Sequence, residues 1–185
     1  MEVVSPVLNT KASIAPTLSE FWEAMKVHFD IQKDSKCGGH VHVTPPSTTK
    51  DFTLRELQKI AFAIVVYEDC INSILPASRR NNGYCVMNSM SECGVKHALS
   101  GGKSAQNFRN VGSAIRSTQT KKDLCLYMQR NRYVLWNFQN TYPKANGRCS
   151  GTLEFRGGSQ FLSGKGTLQW IAFAVAFINF ALEEV

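Results

Sequence analysis

The sequence predicts an α+β fold: a mixed or antiparallel sheet with helices on one face and a ligand site on the other. Two short segments, Gly39–Val43 and Gly151–Arg156, alternate polar and apolar residues at the two-residue period of a strand. In the first, His40 and His42 share one face and Val41 and Val43 the other; in the second, Thr152, Glu154 and Arg156 oppose Leu153 and Phe155. Between and after these strands lie longer segments whose apolar residues recur at helical spacing. The apolar strand faces need cover, so the helices pack there. Two imidazoles, a carboxylate and a guanidinium are left on a face expected to be open, where they can hold a metal ion and an anion.

Taken in order, Glu2–Ser5 reads as a short strand closed by Pro6. Thr17 with Glu20 three residues on is a capping-box pattern, opening a helix through Phe21 and Met25 to about His28. Gly38-Gly39 leads into the histidine strand, and Thr44-Pro45-Pro46-Ser47 ends it. A second capping box, Thr53 with Glu56, starts a helix that runs to about Leu75, with Leu57, Ile60, Ala61, Ile64, Val65 and Ile71 on its apolar stripe. Glu68 interrupts that stripe, so it and Asp69 are placed at the helix edge; Pro76 stops the helix. Ser78–Tyr84 is a basic, Asn-rich loop. From 85 to about 120 the pattern is weak, and Gly102-Lys103-Ser104 is not a phosphate loop, because the glycine that motif needs falls on His97. Asp123–Gln129 reads as a short helix and Tyr133–Phe138 as an aromatic-rich strand. After the Glu154 strand, a glycine-containing connection leads to a last helix from about Thr167. Trp136 and Trp170 are expected in the core.

Composition narrows the function. The 185 residues, 43% hydrophobic and 19% charged, fit a single globular domain over 1–185 and exclude a disordered chain. With 21 Lys and Arg against 14 Asp and Glu, the formal charge is +7. That balance favours an anionic partner (a nucleotide, a carboxylate substrate or nucleic acid), with a solvated basic surface as the equal alternative. The first fifteen residues carry Glu2, Ser5, Pro6 and Lys11 and no apolar stretch of the signal-peptide kind, so a cytoplasmic protein is expected. The six cysteines form no CxxC pair and are read as reduced, mostly buried thiols. The apolar run from Leu168 to Leu182 is shorter than the ~18–20 residues that cross a bilayer, so a buried helix and no membrane are expected.

Each candidate feature has a plainer reading. A lone HxH is more often two strand histidines facing solvent than a site. Glu154 and Arg156 on one face can be an ordinary surface pair. Arg79-Arg80-Asn81-Asn82-Gly83 is, on composition, an exposed turn. With Arg109, Arg116, Lys121 and Lys122 the two arginines also suggest a nucleic-acid patch, but no helix concentrates those charges, so nucleic acid is not the expected partner. Cys37 with His40 and His42 offers zinc-type ligands without an evident fourth. Cys85 or Cys149 as a nucleophile needs a basic neighbour.

Five motifs in order reach beyond these local readings. They are Glu2-Val3-Val4-Ser5-Pro6; Cys37-Gly38-Gly39-His40-Val41-His42-Val43; Leu75-Pro76 with Arg79-Arg80-Asn81-Asn82-Gly83-Tyr84-Cys85; Asn137-Phe138-Gln139-Asn140; and Thr152–Gly158 before Trp170-Ile171. Together they resemble the amidoligase family common in fungi, which is similar in fold and chemistry to the glutamine synthetase and glutamate–cysteine ligase superfamily. The resemblance implies joining of a small-molecule carboxylate to an amine with ATP and magnesium, with specialised metabolism as the expected setting. It implies that Glu154, Glu2 and His40 bind metal, that Arg156 clamps a carboxylate or phosphate, and that His42 contacts the nucleotide. It places Arg79 and Arg80 over the phosphates, with Asn81, Asn82 and Asn137 as polar positioners, and makes Glu154, Arg156 and His40 the catalytic group. The chain departs from the family pattern by starting at Glu2–Pro6, without the glutamate-bearing strand that precedes it there, which leaves Glu2 and Glu154 as the expected carboxylate ligands. A minimal enzyme, a strand lent by a partner, and an ATP-independent catalyst or binding subunit in the old carboxylate pocket all follow as alternatives. An unpaired first strand also suggests a homo-oligomer.

Overall fold

The computed structural model describes residues 3–10, 13–34, 36–45, 51–147 and 149–184. Among them, six α-helices and one three-stranded antiparallel sheet follow the expected α+β plan. Strand β1 is Gly38–Val43, β2 is Trp136–Asn137 and β3 is Leu153–Ser159; the order is β1-β3-β2, with β3 central. His42 lies opposite Glu154 and Val41 opposite Phe155, while Gly39 lies opposite Gly158. Arg156 and Gly157 therefore share one partner, His40, and the ladder bulges there. The bulge sends Gly157 into the core, where a Cβ would come within 2.5 Å of the Phe155 ring.

The helices are α1 (Ala15–His28), α2 (Leu54–Ile74), α3 (Gly94–Ala98), α4 (Ala105–Ser117), α5 (Lys121–Met128) and α6 (Gly164–Glu184). The Thr53–Glu56 capping box forms as read, the Thr53 hydroxyl accepting from the Glu56 N–H and the Glu56 carboxylate accepting from the Thr53 N–H. The Thr17–Glu20 pattern does not cap. Pro16 sits in the first turn of α1, needing no N–H there, and the helix begins two residues before Thr17. Val3–Ser5 form no strand and are exposed, and Glu2 lies outside the described residues.

The core fills the apolar side of the sheet. Phe155, fully buried, stacks on Trp170 at 5.6 Å and packs against Phe173 at 5.2 Å, while Trp136 meets Phe177 at 5.1 Å. Truncating Phe155 to alanine would cost about 3–5 kcal/mol. Side chains lock the helices together by capping one another's ends. Gln58 Nε2 donates to the Ile115 and Thr118 carbonyls after α4, and Lys59 Nζ donates to Leu182 O near the end of α6. Trp22 Nε1 donates to Thr167 Oγ1, joining α1 to α6.

Several expectations change. Among the described residues, the strand read over Tyr133–Phe138 pairs with β3 at Trp136 and Asn137, and the Asn88 side chain bonds the other edge of β2. Asn88 Oδ1 accepts from Trp136 N and its Nδ2 donates to Trp136 O. Glu68 is not at a helix edge but fully buried, whereas Asp69 is exposed and pairs with Lys103. Ser104, from the glycine-lysine-serine run, caps α4. Of the cysteines, Cys85, Cys93 and Cys125 are buried, while Cys37, Cys70 and Cys149 are exposed; all six are unpaired. Helix α6 starts at Gly164, earlier than read, and its 21 residues are long and apolar enough to cross a membrane by length and composition, with 22% of the apolar window buried.

Candidate active site

The face of the sheet opposite the core carries the predicted residues, but it is not open. Glu154 is 4% exposed and Arg156 8%, because the chain from Arg79 to Ser91 and the segment around Gln129 cover that side. Glu154 on β3 stands between His42 of β1 and Asn137 of β2. Asn137 Nδ2 donates to Glu154 Oε2 at 2.6 Å and Arg156 Nη1 donates to Oε1 at 2.6 Å. His40 Nδ1 lies 3.2 Å from that same Oε1, and His42 Nε2 lies 3.7 Å from it. The Glu154–Arg156 contact is thus a buried, hydrogen-bonded ion pair, unlike the exposed pair that sequence spacing alone allows; breaking such a pair costs about 3–5 kcal/mol.

Asn137 is held in one orientation. Gln129 Nε2 donates to its Oδ1 at 2.7 Å, and the Gln139 N–H donates to the same oxygen at 3.0 Å. Gln129 is itself buried and fixed, its Oε1 accepting from Phe138 N at 2.7 Å and its Nε2 donating also to Asn131 O. Sequence reasoning places Gln129 at the end of a short helix, where it is the residue that follows α5, but misses the role of its side chain. The chain Gln129–Asn137–Glu154 leaves the carboxylate with no freedom to turn.

The second guanidinium comes from the end of α2. Pro76 breaks the helix, and the Arg79 and Arg80 N–H groups both donate to Pro76 O, forming a tight turn. That turn separates two neighbouring arginines. Arg79 goes inward, 1% exposed, and its Nη2 donates to Arg156 O at 2.7 Å. Its guanidinium lies against Gly38, where a Cβ would come within 2.8 to 2.9 Å of three of its atoms. Its Nε is buried with no partner among the described residues. Arg80 goes outward; its Nε donates to Leu75 O and its Nη2 to Ser73 O, satisfying carbonyls at the end of α2. Asn82 is engaged within its own turn, donating to Ser78 O and accepting from Tyr84 N, and Asn81 carries the left-handed φ of 55° that the turn needs. Arg79, Arg156, His40, His42, Glu154 and Asn137 are therefore brought together, while Arg80 and Asn82 bond elsewhere.

The electrostatics follow from that assembly. Burial, with the Arg156 guanidinium beside it, holds the His40 imidazole below its usual pKa against the opposing pull of Glu154. His40 is thus neutral at pH 7, and its Nδ1 sits between two groups, 3.2 Å from Glu154 Oε1 and 3.5 Å from Arg156 Nη1, so the tautomer decides which of them it bonds. His42 is the more open of the pair, its side chain 45% exposed and its Nδ1 3.0 Å from Thr152 Oγ1. Burial pushes the Cys85 thiol up despite Arg79 and Arg156, and its Sγ donates to Arg79 O, so it is a protonated thiol at neutral pH. Among the described residues Arg156 pairs with the buried Glu154 and no carboxylate pairs with the buried Arg79, which leaves one positive charge there without a counter-charge.

The donor set suits an anion better than a metal ion. Magnesium favours several oxygen ligands in an octahedron. Here the cluster offers one carboxylate, already bonded to Arg156 and Asn137. Among the described residues no group of three or more His, Cys, Asp or Glu is placed to hold a metal, which covers the Cys37–His40–His42 combination as well. Glu2, the other expected ligand, lies outside them. A carboxylate or phosphate oxygen, by contrast, would meet buried guanidinium groups with unused donor capacity.

Compared with known proteins, the chain matches the family model described as "Putative amidoligase enzyme" over residues 1–178. No curated protein and no solved structure matches it.

Proposed function

The chain belongs to the amidoligase family, and on that premise we propose that it joins a small carboxylate to an amine at the Glu154–Arg156–His40 cluster, in a reaction driven by ATP. The observation that carries this reading is the buried excess of positive charge. Arg79 and Arg156 are 1% and 8% exposed, and among the described residues Glu154 pairs with Arg156 while no carboxylate pairs with Arg79. An unbalanced buried charge is costly, and a bound anion offsets that cost. The substrate carboxylate lies against Arg156, whose direction is fixed by Glu154 on one side and by Tyr84 O, which accepts from its Nε at 3.3 Å, on the other. In the tautomer that turns Nδ1–H to Glu154, neutral His40 takes at Nε2 the proton that the attacking amine must lose. When bound, ATP would supply the phosphoryl group that makes a carboxylate oxygen displaceable, with Arg79 and His42 contributing to the hold on its phosphates. The described residues do not form a magnesium site, and none of these roles depends on one. The setting we propose is small-molecule biosynthesis in the cytoplasm, in keeping with six unpaired thiols.

One observation favours a second reading. Both Glu154 oxygens are already occupied by protein donors, so the pocket works as a carboxylate receptor without nucleotide, and an ATP-independent cyclisation, isomerisation or lyase step fits the same residues. Calorimetry separates the two. Magnesium-dependent ATP binding, with phosphate release when carboxylates and amines are added, supports ATP-driven ligation. Binding of small carboxylates with none of ATP at millimolar concentration favours the second reading. Binding of neither overturns both.

A further inference from the structure

Beside the arginine pair stand two large aromatic residues that the fold leaves in solvent. Tyr84 is 55% exposed and Tyr133 36%. They meet edge to face, centroids 5.6 Å apart at 84°. Exposed aromatics on a mobile loop would carry no argument, but these are braced. Val86 N donates to Tyr133 O at 3.0 Å and Leu135 N to Val86 O at 2.8 Å, so the two segments run side by side as a parallel bridge. Tyr84 N donates to Asn82 Oδ1, and the next residue, Cys85, is buried. Both tyrosines are also joined to the cluster itself. Tyr84 O accepts from Arg156 Nε, and the Arg156 guanidinium carbon lies 5.9 Å from the Tyr133 ring centroid. Arg132 lies 5.2 Å from the same ring, so cations already engage Tyr133, and Tyr84 presents the more exposed ring of the pair.

We propose that Tyr84 and Tyr133 form a subsite for a planar aromatic ring carried by the anion that Arg156 binds, making the acid substrate an aryl or arylalkyl carboxylate. This rests on the carboxylate-binding reading of the cluster. Rigid tyrosines offer a large contact area with little loss of side-chain freedom, and an electron-poor ring edge or face adds to simple burial. The reach decides between the two sources of such a ring. The Arg156 guanidinium carbon lies 5.9 Å from the Tyr133 ring centroid, in direct contact, so a ring packed on this pair carries its anion directly or through one or two bonds. A nucleotide interposes a ribose between its base and its phosphates and overshoots that distance.

Titration calorimetry or saturation-transfer NMR with benzoate, cyclohexanecarboxylate, acetate and AMP tests it, on the wild type and on Tyr84→Leu and Tyr84→Phe. Benzoate and cyclohexanecarboxylate share charge and approximate size and differ in aromaticity. Benzoate should bind about threefold to tenfold more tightly than cyclohexanecarboxylate, the ratio should fall to near one in Tyr84→Leu, and Tyr84→Phe should restore it. Equal affinity of the two acids in the wild type overturns the aromatic subsite while leaving the carboxylate site in place. No affinity for any of the three acids overturns the carboxylate reading and the subsite with it. AMP binding that disappears in Tyr84→Leu, without a preference for benzoate, assigns the ring to a nucleotide and overturns the aryl acid. Because Tyr84 is more than half exposed, its substitution leaves the core intact, which melting of each variant checks.

Discussion

Replacing Glu154 by glutamine keeps the shape of the side chain and removes its charge, and the surroundings make that small change expensive. The carboxylate accepts at both ends, from Asn137 Nδ2 at Oε2 and from Arg156 Nη1 at Oε1, each at 2.6 Å. A carboxamide accepts at one end and donates at the other. Asn137 cannot flip to suit it, since its Oδ1 already accepts from Gln129 and from the Gln139 N–H. Either orientation of the new amide therefore sets one NH₂ group against a donor, and the buried Arg156 guanidinium loses its counter-charge. The expected loss is about 3–5 kcal/mol, a large part of a domain stability of about 5–15 kcal/mol. With a urea slope of about 2 kcal/mol per molar, the unfolding midpoint should fall by about 2 M. Phosphate or sulfate should recover part of the loss in the variant, because an anion there replaces the missing charge. Adding Arg156→Met should recover part of it too, since it removes one of the unpaired cations. A loss below about 1 kcal/mol, with no effect of anions, would refute the account of a buried pair with excess positive charge.

Other substitutions test neighbouring steps. Gly38→Ala puts a Cβ into the Arg79 guanidinium, which is buried and has little room to retreat; the overpacking should cost about 1–3 kcal/mol in denaturant unfolding and weaken carboxylate binding measured by calorimetry. Burial raises the pKa of Glu68, whose carboxylate accepts from Ser89 N at 3.2 Å, so its contribution to stability is complete below the usual carboxylate pKa and is lost as pH rises through the folded value. Glu68→Gln should accordingly melt higher than wild type at pH 7, with the gap closing toward pH 4; a gap independent of pH would contradict this. His40 has the opposite sense, a pKa below its usual value, so its contribution is present above about pH 6.5 and is lost as pH falls toward the folded value. If His40 is the proton acceptor, the acid limb of kcat/KM should lie below pH 6.5 and disappear in His40→Asn.

The parts of this fold legible in the sequence are those governed by local period and local chemistry. Alternation in Gly39–Val43 placed both histidines on one face and both valines in the core, and Thr53, Glu56 and Pro76 marked the bounds of α2 to within two residues. What was not legible depends on partners far away in the chain. Asn88 bonds the free edge of β2 from 48 residues upstream, and nothing in its neighbourhood announces that. Gln129 reads as the last residue of a short helix, and nothing local shows that its side chain orients Asn137. Arg79 and Arg80 are chemically identical, and the turn after Pro76 alone decides which one is buried. Glu68 was visible as an anomaly on an apolar stripe, but reading it as an edge residue assumed that a buried carboxylate finds no donor, and the Ser89 N–H supplies one.

Three local costs on the polar face converge on the same two guanidiniums, and their convergence is the best argument that the face is kept for chemistry. A glycine at 38 weakens a strand, yet it is what lets Arg79 lie flat against β1. The bulge at Arg156 and Gly157 interrupts the ladder, yet it sets Arg156 beside His40. The Arg79 Nε is buried without a partner among the described residues, a loss of about 1–3 kcal/mol that apolar side chains in its place would avoid. A sheet selected for stability alone would discard all three, since replacing buried charges by well-packed apolar residues is often neutral or stabilising. Anion binding gives each a use: Gly38 admits one cation, the bulge aims the other, and the unpaired Nε is donor capacity awaiting an acceptor. The same reasoning assigns Glu154 its place. With its two oxygens tied to Asn137 and Arg156, it acts less as a ligand in its own right than as the fixed point from which Arg156 and His40 take their directions.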